Sequence, residues 1–84
     1  MNKCATTKDE LFLVKLHELA LLRGEDRASI NRYLIGRAIG QNDKGVDNII
    51  KHLAQANFIK KGNDASIYLT PQGLELIKNH LIST

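Results

Sequence analysis

Tryptophan is absent from this chain, and its aromatic rings amount to two phenylalanines and two tyrosines. Any core must therefore be mainly aliphatic. The single cysteine, Cys4, excludes an internal disulfide. Its place ahead of the first periodic segment gives it the character of an inert tail thiol. No apolar run approaches about 18 residues, which excludes a membrane-spanning helix. No basic-then-apolar leader opens the chain, so a cytoplasmic protein is expected. Catalytic and metal-binding patterns are missing too. His17, His52 and His80 fall in three separate predicted helices with no second ligand at metal spacing, and each is expected to be a satisfied or solvated histidine. Ser29, Ser66 and Ser83 stand in no nucleophile motif, and no glycine-rich phosphate loop follows a strand. We expect no enzyme, no cofactor and no metal.

What is present is a globular composition: 84 residues, 43% hydrophobic and 25% charged. That is enough for one modest core. Residues 1–6 read as a flexible tail and 7–84 as one domain. Thr7 followed by Glu10 fits a capping box. Leu11, Phe12, Val14, Leu16, Leu19, Ala20 and Leu22 then give a helix apolar over much of its girth, closed by Gly24 with Arg23 at the negative end of the dipole. We expect this helix to be the spine of the core in preference to a dimer interface. Residues 25–29 form a polar connector, and Ser29 is the expected N-cap of a second helix running to about Ile39.

Ile35 and Ile39 share one face of that second helix. Val46, Ile49, Ile50 and Leu53 follow at i, i+3, i+4, i+7, the stripe of a third helix. It is capped by Asn42 or Asp43 and ends near Asn57, where asparagine is the best substitute for a left-handed glycine. Gly40, between the two stripes, tolerates the positive φ that stops a helix, and Gly36 lets two backbones approach closely. Beyond them, 58–61 and 66–69 are short β-prone runs. In the intervening Gly62-Asn63-Asp64-Ala65, asparagine and glycine are expected to supply the positive φ of a tight hairpin. Thr70 and Pro71 restart a helix as N-cap and first helical residue. Leu74, Ile77, Leu81 and Ile82 give it an apolar face. The expected fold class is mainly α with a small β-hairpin, α+β.

Charge is unevenly spread. Residues 1–26 carry a net −1, 27–61 a net +5 and 62–84 a net −1. A polyanionic partner accounts for such a bias in the middle segment, as does a solvated, solubilising surface.

The spacing of Gly36, Gly40 and Val46 resembles the helix-turn-helix motif: a small residue, a turn glycine four later and an aliphatic residue six after that. Gln41 departs from it, since the residue after the turn glycine is usually apolar, and a looser or wetter turn is the consequence to look for. The run from Asn57-Phe58-Ile59 to Tyr68-Leu69-Thr70-Pro71-Gln72-Gly73 resembles the wing and following helix of MarR- and PadR-type transcriptional regulators. The likeness covers residues 8–82. It implies a winged helix whose helix 42–57 reads the major groove of double-stranded DNA while a 59–69 wing touches the backbone.

On that resemblance, Gln41, Asn42, Lys44, Gly45, Asn48 and Lys51 are the expected groove contacts, with Gly45 leaving room for backbone approach. Lys60, Lys61 and Asn63 in the wing, and Arg32 and Arg37 on the second helix, are the expected phosphate contacts. Asp43 reads as a helix-start charge. Asp47 repels phosphate unless it accepts a base amino group or is neutralised by Lys44 or Lys51. The sequence ends soon after the last helix and offers no long dimerisation helix, so either a homodimer uses the apolar first or last helix or none forms. The alternative function is a winged helix that binds a protein partner within a larger assembly.

Overall fold

The computed structural model describes residues 7–81, apart from the side chains of residues 80 and 81. The expectations made for the 1–6 tail, Cys4, His80, Leu81, Ile82 and Ser83 lie outside what is described.

The chain forms α1 (Lys8–Leu22), β1 (Ile30–Asn31), α2 (Arg32–Ile39), α3 (Asp43–Gln55), β2 (Ile59–Lys61), β3 (Ser66–Leu69) and α4 (Pro71–Leu76), the last continuing as a π-helical turn over Ile77–Leu81. It is a mainly helical α+β protein with a small antiparallel sheet in the order β1-β3-β2. Thr7 caps α1 through the reciprocal bonds of a capping box with Glu10, as expected. α2 stops at Gly40 with φ 79°, and Asn57 turns the chain out of α3 with φ 65°. Thr70 and Pro71 open α4 in the roles the sequence assigns them.

Three local expectations are corrected. Ser29 does not cap α2. Asn31 does, its Oδ1 accepting the N–H groups of Tyr33 and Leu34, because residues 30–31 are first drawn into a strand. That strand, β1, pairs Ile30 with Ile67 and Asn31 with Ser66, so the expected two-stranded hairpin is a three-stranded sheet. In the hairpin turn the residue with positive φ is Asp64, at 52°, while the Gly62 N–H bonds back to the Ser66 carbonyl at 2.8 Å.

One aliphatic core runs through all these elements. It takes Phe12, Leu13, Leu16 and Ala20 from α1, Ile35 from α2, and Val46, Ile49, Ile50 and Leu53 from α3. Ile30, Ile59, Ile67, Leu69 and Ile77 complete it. The face of α1 differs from the expected one. Leu11 and Leu22 are 43% and 82% exposed, while Leu13 is buried. At about 100° per residue a helix offers only one stripe to a core, and the stripe centred on Leu13, Leu16 and Ala20 won that contact. His17 is the other correction. It is 6% exposed, and its Nε2 is buried with no hydrogen-bond partner, so that nitrogen is neither satisfied nor solvated.

Two close approaches lock the helices. A Cβ on Gly36 would run into the Val46 side chain, so this glycine lets α2 and α3 meet. At the far end of α3, the Thr70 hydroxyl donates to the Asn57 carbonyl at 2.6 Å and accepts the Gly73 N–H at 3.0 Å. The Thr70 N–H donates to the Phe58 carbonyl at 3.0 Å, clasping the start of α4 to the end of α3.

Candidate nucleic-acid interface

Since α3 spends its apolar stripe on the core, its other side faces solvent. Lys44, Asp47, Asn48, Lys51 and Gln55 are all exposed there. The orientation follows from periodicity alone, because four aliphatic residues at i, i+3, i+4 and i+7 leave the remaining positions outside. Asn42 is the N-cap, its Oδ1 accepting the Gly45 N–H at 2.8 Å. The turn before it is closed rather than loose. Gln41 is half-buried, its N–H donates to the Gly36 carbonyl at 2.8 Å, and its side-chain oxygen lies against Gly45. The bare backbone expected at Gly45 is therefore partly covered by Gln41.

The sheet edge reaches the same surface. A shallow groove of about 570 Å³ runs between α3 and the sheet, with Asn48, Lys51 and Gln55 on one side and Lys61 on the other. Lys60 and Lys61 are adjacent on β2 and alternate in direction, so Lys61 joins this groove and Lys60 does not. Asn63 is exposed in the hairpin turn and Arg37 is exposed on α2, both outside the groove.

Arg32 and Asp47 are already engaged. The Arg32 Nε donates to the Ala65 carbonyl at 3.1 Å, and its backbone N–H donates to the same oxygen at 3.0 Å. Only 13% of its side chain is exposed, and its guanidinium lies 4.0 Å from Asp47. Arg32 thus ties α2 to the hairpin turn and leaves little of its charge to a phosphate. Asp47 is neutralised from α2 rather than by Lys44 or Lys51. It also accepts a hydrogen bond from the Tyr33 hydroxyl at 3.1 Å. Tyr33 is the groove residue that sequence reasoning missed. Its partner is 14 positions away, so no local signal marks it.

The Asp47 hydrogen bond, with partial burial and the carboxylate's charge adding to it, raises the Tyr33 pKa above the usual 10.0, against the opposing charge of Arg32. The extra stability of this pair is present in full below pH 10, where the phenol is protonated in the folded and unfolded chain alike. It is lost as pH rises through the raised value. A spectrophotometric tyrosinate titration is expected to place Tyr33 above the ordinary tyrosine range, and Asp47→Asn to bring it back down. A titration unchanged by Asp47→Asn would mean that the hydrogen bond does not form.

Among the described residues, no three His, Cys, Asp or Glu side chains gather as a metal site. No described helix is long and apolar enough to cross a membrane. No protein-family model, curated protein or solved structure matches this chain.

Proposed function

We propose that the chain is a DNA-binding module of winged-helix type, resembling MarR- and PadR-type regulators, with α3 in the major groove and the β2–β3 hairpin as a wing on the backbone. The observation that carries this reading is the division of α3. Val46, Ile49, Ile50 and Leu53 are sealed in the core, while Lys44, Asn48 and Lys51 stand exposed, the last two in one groove with Lys61. Lysines on a groove-sized helix donate to phosphate or to guanine acceptors, and an exposed asparagine can pair with adenine. The net +5 of residues 27–61 favours the same partner. Neutralising about four to six phosphates gives a log–log salt slope of about −4 to −5 for random duplex DNA.

The test is a salt titration of binding to random duplex, for the wild-type chain and for Lys44→Ala/Lys51→Ala. Both lysines are exposed and outside the core, so the variant should fold normally by circular dichroism. Its slope is expected to shrink by about 2, with affinity at low salt reduced on the order of tenfold or more. Unchanged affinity would mean that another surface binds.

The engagement of Arg32 and Asp47 with each other favours a second reading, an interaction module for a protein partner. An acidic group on the outward face of α3 and a spent arginine both weaken a phosphate surface. Absence of measurable binding to duplex DNA at low salt would select that reading.

A further inference from the structure

The outward face of α1 carries a pattern that neither the core nor the α3 surface uses. Leu11, Lys15, Glu18 and Leu22 are spaced 4, 3 and 4, so they form one continuous seam along the helix. The core faces the other way, through Phe12, Leu13, Leu16 and Ala20. Leu11 and Leu22 are 43% and 82% exposed, and Lys15 and Glu18 hold each other at 2.7 Å between them. The order apolar, basic, acidic, apolar becomes its own complement when the helix is laid antiparallel against a copy of itself. With the two-fold axis between His17 and Leu16, Leu11 meets Leu22 of the second copy and Lys15 meets Glu18, each twice. A two-fold interface requires this relation, in which one residue contacts a second and that second contacts the first.

We propose that α1 is the contact face of an antiparallel, two-fold homodimer, its centre a ring of two Lys15–Glu18 pairs and its ends two Leu11–Leu22 contacts. A parallel arrangement would set Lys15 against Lys15 and Glu18 against Glu18, so the charges choose the direction. The seam from Leu11 to Leu22 is only about 17 Å long, eleven rises of about 1.5 Å along the helix. Such a small contact makes a weak dimer, with a dissociation constant on the order of tens to hundreds of micromolar. The inference does not depend on the DNA reading. A dimer would nevertheless present two copies of the α3 face, which a weak single copy needs for a two-part site.

The test is sedimentation equilibrium of the full chain, without nucleic acid, from about 10 µM to about 1 mM. Wild type is expected to pass from monomer to dimer across this range. Lys15→Glu and Glu18→Lys each set like charges against like in the homodimer, and each is expected to weaken it about tenfold. Mixing these two variants restores every cross-pair, so the mixture is expected to dimerise at least as well as wild type. Leu22→Ser, at a position too exposed to matter for folding, is expected to weaken the dimer at least about tenfold. A chain that stays monomeric throughout, or a mixture that fails to associate better than either variant alone, would overturn the proposal. Association that ignores Leu22→Ser would do the same by moving the interface to another face.

Discussion

Phe12→Ala is expected to remove about 3–5 kcal/mol of folding stability, the largest loss from any single truncation in this chain. Its ring is fully buried and heads the core's largest side chains. Tyr33, Phe58 and Tyr68 are only partly buried, so no second ring fills the centre. The neighbours are branched aliphatics from helices and strands that pack in fixed rotamers, so they close only partly around the space left behind. A domain of this size has about 4–13 kcal/mol in total, so the variant sits near the edge of folding. Its melting temperature should fall by roughly 12–40 °C at about 4–8 °C per kcal/mol. Urea denaturation followed by circular dichroism measures it. A loss under about 1 kcal/mol would place the ring outside the core.

Gly73→Ala is expected to cost about 2 kcal/mol, although alanine is the better helix former by about 1 kcal/mol. The added Cβ would run into the carbonyl of Phe58, with that residue's C and Cα at 2.9 and 3.1 Å. This is backbone, and it is pinned on both sides. The Phe58 carbonyl accepts the Thr70 N–H at 3.0 Å, and the Phe58 N–H donates to the Leu53 carbonyl at 3.0 Å. Neither strand of the clasp can move without losing a bond, so overpacking outweighs propensity. The same denaturation assay reads the effect, and a stabilised Gly73→Ala would show that the clasp yields. The close approach also gives a physical reason for glycine three residues after the threonine cap: α4 starts directly on the backbone leaving α3.

How much of this was legible beforehand differs from element to element. The capping box at Thr7 and Glu10, the left-handed stops at Gly40 and Asn57, and the Thr70-Pro71 start are written in neighbouring residues, and all are found as expected. So is the α3 stripe, whose outward face follows once its inward one is known. β1 was not legible, because two residues have no period and become a strand only by pairing with Ile67 and Ser66. The exposure of Leu11 and Leu22 was not legible either. α1 is apolar on several sides, and sequence does not say which side its neighbours will cover.

The candidate surface divides in the same way. By itself the sequence determined the starts of α1, α3 and α4, the stops of α2 and α3, and which side of α3 faces outward, since caps and periodicity act within about four residues. The start of α2 it did not determine, because residues 30–31 are drawn into a strand. Only the tertiary structure decided that Arg32 is spent on Ala65, 33 positions away, and that Asp47 is held by Tyr33 and Arg32 from another helix. Those pairings depend on where whole elements come to rest, and local energetics carries no information about that.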